Sequence, residues 1–318
     1  LENSRLADTL AINVKQNSTF IAGAVDTVGS VLVDANGTFT MNANTTTQTN
    51  FKNDGLVNLN ANLTTGTDFE NNGTTIALAP RTITTTGGLK GSGDIQTADT
   101  LTLVQSGDTT YSGTIKGTGS FVKNGTGNLT LNGVAGSVDL DAGTLVNQGT
   151  LTTDSQNVFA QDQNITVSTT GTLHVKTGSQ NLSTVTNNGI VNLDDNITLV
   201  TLTNTASGTF NQDANITSTD AIMDGNWNVT GNRVLNTNTL TGDATVTLAE
   251  YLKINQSGTS TFDGSISGNG KLEKTGNGTL KISDVQTFLG GLDVTGGTFE
   301  TLENSRLADT LAINVKQN

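Results

Sequence analysis

Cysteine is absent from the chain. That excludes a disulfide framework and any thiolate metal site, so stability must come from a core and a backbone ladder. Proline occurs once, at Pro80, which leaves almost every backbone N–H free to donate along extended ladders. Histidine also occurs once, at His174, too few for a two-histidine metal site. Charged residues make up only 14% of the chain, against about 25% in ordinary domains, and this argues against the highly charged kind of disorder. The charge that is present leans acidic, with a formal net value of −13. It disfavours nucleic acid, whose binding rests on Lys and Arg neutralising phosphates, and anionic lipid surfaces. No run approaches the roughly 18 apolar residues of a membrane span, and no charged-then-apolar stretch resembles a signal peptide. Any export signal or anchor is therefore expected outside this sequence.

Thr, Asn, Gly and Ser fill most of the remainder, a composition suited to short strands with tight turns and poor for helices. The stretch LENSRLADTLAINVKQN opens the chain at Leu1–Asn17 and closes it, letter for letter, at Leu302–Asn318. Residues 1–301 therefore read as one tandem unit and residues 302–318 as the start of the next copy. A shorter period lies inside. SGTIKGTGSFVKNGTGNLTLNG around Gly113 is answered 151 residues later by DGSISGNGKLEKTGNGTLKISD around Gly264. Gly117, Gly119, Lys123, Gly125 and Gly127 fall on Gly268, Gly270, Lys274, Gly276 and Gly278. Upstream, QSGDTTYSG (105–113) faces QSGTSTFDG (256–264). Downstream, LDAGTL (140–145) faces VTGGTF (294–299) if the chain slips by three residues. The unit is expected to be a diverged doublet with halves near 1–150 and 151–301.

Between these blocks, segments of alternating apolar and polar residues recur. Gly37, Gly55 and Gly73 follow one another at a constant step, and Gly171, Gly189, Gly208 and Gly225 at similar ones. Two residues after such a glycine stand Phe39, Val57, Leu173, Val191, Phe210 and Trp227; four after it stand Met41, Leu59, Val175, Leu193 and Val229. Period-two alternation places these side chains on one strand face. Gln212 interrupts the inward series, and Ile76 and Leu78 are displaced by one position, which a bulge would correct.

A step of this size, roughly 18–19 residues, is too short for a strand–helix–strand crossover and too long for a simple hairpin meander. It fits one coil of a parallel β-helix, and Asn-Gly, Asp-Gly and Gly-Gly pairs are expected to supply positive φ at the corners. The fold class is thus all-β: a parallel β-helical solenoid with coils of about 18–21 residues, roughly 16 to 17 of them, near 80 Å long at about 4.8 Å per coil. Parallel crossovers are right-handed as a rule. Stacking should place Phe39 near Val57 and Asn36 near Asp54 and Asn72.

The two glycine-punctuated blocks resemble the autotransporter-associated β-strand repeat, also called the passenger-associated transport repeat. The matching residues are Gly117, Gly119, Lys123, Gly125, Gly127, Leu129, Leu131, Gly143 and Leu145, then Gly268, Gly270, Lys274, Gly276, Gly278, Leu280, Ile282, Gly297 and Phe299. The resemblance is confined to these two blocks and is compositional elsewhere. It implies a right-handed β-helical passenger, exported through a Gram-negative outer membrane by a C-terminal barrel and commonly an adhesin or biofilm factor.

No catalytic, cofactor-binding or metal-binding residue is assigned from the sequence. His174 has opposite parity to Leu173 and Val175 and should face solvent. Asp139 with Asp141, and Asp194 with Asp195, are the carboxylate pairs to weigh for glycoside chemistry, but no Arg, Lys or aromatic platform recurs beside them. Calcium-binding repeats of the G-G-x-G-x-D kind are absent. Asn-x-Thr/Ser triplets, as at Asn36, Asn124 and Asn277, arise readily in a chain so rich in Asn and Thr.

The expected function is non-enzymatic: a structural or adhesive segment of a long surface fibre, acting as a rigid stalk or adhesin passenger. Its partners would be neighbouring units end to end and a host-cell or surface glycan or protein receptor, with no nucleic acid and no cofactor. The alternatives are an extracellular polysaccharide-active β-helix enzyme and a subunit of a self-assembling filament.

Overall fold

The computed structural model describes residues 6–304 and 306–316. Parts of both copies of the terminal segment, residues 1–5, 305, 317 and 318, lie outside the described residues. The described chain contains strands and turns but no helix, and every recorded strand pairing is parallel: a β-solenoid. Two compact units divide it, Leu1–Gln163 and Asn164–Asn318.

In the first unit each coil lays down up to three short strands, and like strands stack into three columns. The first runs through Ala11–Val14, Ser30–Val33, Phe51–Asn53, Phe69–Asn71 and Leu89–Lys90. The second begins with Thr19–Ala22, Thr38–Met41, Leu56–Leu59 and Thr74–Ala77 and continues to Val138–Leu140. The third includes Asp26–Val28, Thr45–Thr47, Leu63–Thr65 and Arg81–Thr85. Strict alternation sends every second side chain inward. Phe39 pairs in register with Val57, as the glycine spacing predicts, and Phe39, Met41, Val57 and Leu59 are all fully buried. Half-buried Phe20 and fully buried Phe39, Phe51 and Phe69 form an aromatic file with ring centroids 5.3, 5.4 and 5.7 Å apart. Each fully buried ring contributes roughly 1.5–3 kcal/mol of transfer free energy.

The second unit uses longer strands that run around a corner without a break. Gln180–Asn187, Ile197–Asn204 and Ile216–Met223 each hold 8 residues. Leu173, Val191, Phe210, Trp227, Val246 and Ile266 stand in one inward file. Coil length varies more than the sequence suggests. One coil carries Phe210 to its register partner Trp227, and a longer one carries Ile115 to Val138.

Three sequence expectations are corrected. No bulge follows Gly73: Thr75 pairs with Val57 and Ile76 with Asn58, so Thr75 and Ala77 point inward while Leu78 is 68% exposed. A threonine is kept inside because its hydroxyl donates to Asn71 Oδ1 (2.9 Å) and lies within reach of the Asn53 amide (3.4 Å). Gln212 does not leave the inward series either. It is fully buried in register with Leu193 and Val229, accepting from Trp227 Nε1 (3.0 Å) and donating to Ala214 O (2.9 Å). A buried amide so partnered avoids the cost of an orphaned polar group.

The third concerns the recurrent glycines. Asn36 does take a positive φ of 62°, but Gly55 and Gly73 do not. A Cβ on Gly55 would lie 2.4 Å from Gly37 O, and one on Gly73 would lie 2.1 Å from Gly55 O. These glycines admit the close approach of one coil to the next.

Candidate functional site

Two buried lysines mark the doublet. Lys123 ends the inward series of Phe121–Asn124 and is fully buried. Its Nζ donates to Asn124 O (3.0 Å), Gly125 O (3.0 Å) and Gln148 O (3.3 Å). Burial pushes its ammonium down to about 8, against a smaller upward pull from Asp108. Lys274 repeats the arrangement, reaching Thr275 O (2.7 Å), Gly276 O (3.4 Å) and Gly296 O (3.5 Å), and burial lowers it too. Each lysine ties its own corner to the coil that follows. Gly125 and Gly276 turn that corner with φ of 77° and 79°.

These contacts correct the downstream alignment of the doublet. Gln148 O stands where Gly296 O stands, and Gly149 (φ 71°) where Gly297 (φ 66°) stands. Leu129 pairs with Leu151, and Leu280 with Phe299. The segment equivalent to TGGTF is therefore NQGTL (147–151), and Gly149 and Leu151 replace Gly143 and Leu145 in the repeat pattern. Gly143 instead matches Gly291: their carbonyls accept from Phe121 N (3.1 Å) and Leu272 N (3.0 Å). The misleading cue was local identity, since DAGTL and NQGTL both end in Gly-Thr-Leu.

On the outside, His174 stands in register with Asn192, facing out as parity predicts. Its contact with Asp194 Oδ2 at 2.7 Å has no cue in the sequence, because the two residues lie a coil apart. Asp195 turns the other way and accepts from Gly178 N (2.8 Å) and Asn196 N (2.7 Å) to close a corner. The adjacent pair is therefore split between two tasks. Asp139 sits on a strand in register with Lys116, and Asp141 falls in the turn after it. Among the described residues, no group of three or more His, Asp or Glu is placed to hold a metal ion.

A cluster of titratable side chains in the second unit has no cue in the sequence. Lys253, Glu273, Asp293 and Asn314 follow one another outward-facing on successive coils. Asp293 meets Lys271 at 2.7 Å and Lys316 at 3.5 Å, and accepts from Asn314 at 3.0 Å. Lys271 first, then Asn314, hold its carboxyl down to about 2. Burial pushes Glu273 up, but hydroxyls of Thr295 and Tyr251 and the charge of Lys253 more than offset this, leaving it lowered.

Each unit also carries a surface hollow. In the first unit a groove of about 510 Å³ is lined by Leu78, Ala98, Thr118, Asp94, Gln96 and Lys116 among others. In the second unit a shelf of about 290 Å³ is lined only by Thr, Ser and Asn, including Thr217, Asn236 and Asn255. Its side chains bond along the coils, Asn255 to Asn236 at 2.9 Å and Asn236 to Thr217 at 3.3 Å.

Stacked parallel coils, glycine files and a lysine-tied doublet together fit an autotransporter passenger domain built of repeats. In particular, the chain is similar to the adhesin BmaC autotransporter of Brucella suis biovar 1 (strain 1330), with 30% identity over 239 residues. That match takes in 74% of this chain but only 5% of the relative's length. No family model and no solved structure matches the chain.

Proposed function

We propose that the segment is a structural and adhesive span of a long, repetitive bacterial surface fibre, exported across an outer membrane and acting as a stalk whose outer faces make the contacts. The observation that carries this reading is the series of outward amide and hydroxyl columns. Asn58 donates to Thr40 (3.1 Å), Asn211 to Asn192 (2.8 Å) and Asn228 to Asn211 (2.8 Å), and the Thr217–Asn236–Asn255 shelf continues the theme. Side chains ordered this way lose little further rotamer freedom when a ligand arrives. Their alternating donors and acceptors suit the hydroxyls of a surface glycan. Similarity to a protein named an adhesin supports adhesion and a non-enzymatic role. The net charge of −13 would keep neighbouring fibres from sticking to one another.

Beads coated with the chain should adhere to glycan-bearing epithelial cells several-fold better than albumin-coated beads. Adhesion should fall when surface glycans are removed enzymatically, and also with the double variant Asn236→Ala, Asn255→Ala. Adhesion no better than with albumin would refute the adhesive reading.

A further inference from the structure

The repeated terminal segment is seen twice, in two surroundings. In the first unit Ala11–Val14 is, among the described residues, the outermost strand of its column and pairs on one edge with Ser30–Val33, Ile12 opposite Val31 and Val14 opposite Val33. In the second unit the same residues recur as Ile313–Val315 and pair on the other side of the stack, with Leu292–Val294. Burial records the difference. Ile12 and Val14 are 9% and 4% exposed beneath the coil that follows them, whereas Ile313 and Val315 are 49% and 76% exposed. One sequence thus displays both of its edges, each satisfied by a different neighbour.

The charged groups divide in the same way. Lys15 bonds forward to Asp34 at 3.2 Å. Its counterpart Lys316 reaches back to Asp293 at 3.5 Å, while Asn314, the counterpart of Asn13, donates to Asp293 at 3.0 Å. At the opposite face, an apolar mouth of about 340 Å³ opens among Ile12, Phe20, Val28 and Phe39.

We infer that successive copies in a tandem chain join without a linker, as one uninterrupted parallel coil, and that the exposed face of Ile313–Val315 is the docking surface for the next copy's counterpart of Val31–Val33. Superposing the two views gives a single strand with Leu292–Val294 on one edge and Val31–Val33 on the other. One lysine stands between the carboxylates equivalent to Asp293 and Asp34. The mouth around Phe20 is then closed by the last coil of the preceding copy, which carries Leu292, Val294 and Phe299. The inference rests on the repetitive fibre proposed above, but it concerns the joint alone, so failure of the adhesion assay would leave it standing.

The test appends a second period, residues 18–318 again, after Asn318 and follows amide hydrogen exchange. Protection of the Ile313–Val315 amides should rise at least about a hundredfold over the 318-residue chain, toward that of Ile12–Val14. Protection at Val229 and Leu248 serves as the internal control for folding. Asp293→Ala in the two-copy chain should lower the gain at 313–315 while leaving that control unchanged. Unchanged exchange at 313–315 in a two-copy chain whose controls are protected would overturn the inference.

Discussion

In the unit Leu1–Gln163, Tyr111 donates its hydroxyl to Gly93 O (2.7 Å) and accepts from Asn71 (3.1 Å), which in turn bonds Asn53 (2.8 Å). In the unit Asn164–Asn318, an equivalent amide pair, Asn187 to Asn204 (2.7 Å), stacks instead on Met223, and Phe262 stands where Tyr111 does. The lysines differ in the same sense. Lys123 has Asp108 in its field, and the matching position in the second unit is Thr259. What does not differ is the glycine corner, the carbonyl acceptors and the glutamine before each block. Gln105 Nε2 reaches Gly107 O (3.0 Å) and Asn128 O (2.9 Å); Gln256 Nε2 reaches Gly258 O and Thr279 O, both at 3.1 Å. Interior polar groups can therefore be traded for apolar ones in a thin core, and the two glutamines are retained through their amide donors, their Oε1 atoms having no hydrogen-bond partner. The glycines at the lysine corners recur in both units, whereas in the file that sets coil spacing Ala244 stands where Gly93 does.

The largest test of this comparison is loss of the lysines. Lys123→Ala should destabilise its coil by about 3 kcal/mol or more, since it leaves a void and strips buried carbonyls of a donor. Lys274→Ala should cost less, because two of its three contacts are long. Amide exchange of Phe121–Asn124 and Lys271–Thr275 reads both. A pH signature sharpens the contrast. Burial depresses the folded pKa of Lys123 to about 8, below the ordinary lysine value of 10.5, so the unfolded state holds more protons between those values. Stability relative to Lys123→Met should therefore rise as pH climbs from about 8 to 10.5. A flat or falling difference would contradict the assignment.

Next come the amide pairs. Asn71→Leu should cost about 2 kcal/mol, because Asn53, Thr75 and Tyr111 all lose a partner. Asn204→Leu should cost less, since no tyrosine depends on it. Denaturant midpoints with site-specific exchange would check the order. Smaller still, Tyr111→Phe should cost about 1 kcal/mol. Phe262→Tyr should be close to neutral, as its new hydroxyl would face Ala244 O much as Tyr111 faces Gly93 O. Reversed signs for this pair would show that the two blocks are not equivalent in the way their hydrogen bonds indicate.

The coil was legible in the sequence because its cue is strong and local: alternation after Gly37 or Gly189 survives any choice of register. The inward places of Thr75 and Gln212 are not legible, because hydropathy alone cannot tell a buried hydroxyl or amide that has partners from one that has none. The slip after Lys123 runs opposite to the one the sequence suggests, because DAGTL imitates a motif that the fold places six residues later. The Lys271–Asp293–Lys316 cluster and the His174–Asp194 contact each join neighbouring coils. Which residues meet there depends on coil lengths that vary along the chain and leave no periodic trace.

The central claim, that successive coils stack in parallel register, is tested most directly by paired cysteines in a chain that has none of its own. Asn58 and Ile76 are outward register partners in the first unit, as are Asn192 and Asn211 in the second. Adjacent-strand Cα spacing of about 4.8 Å falls within disulfide reach. Gln96 is the next partner beyond Ile76, two coils from Asn58 and out of that reach. Mild oxidation of the double variants Asn58→Cys, Ile76→Cys and Asn192→Cys, Asn211→Cys should therefore form intramolecular disulfides nearly quantitatively, while Asn58→Cys paired with Gln96→Cys should form none. Failure of both register pairs to cross-link in folded protein would contradict the stack.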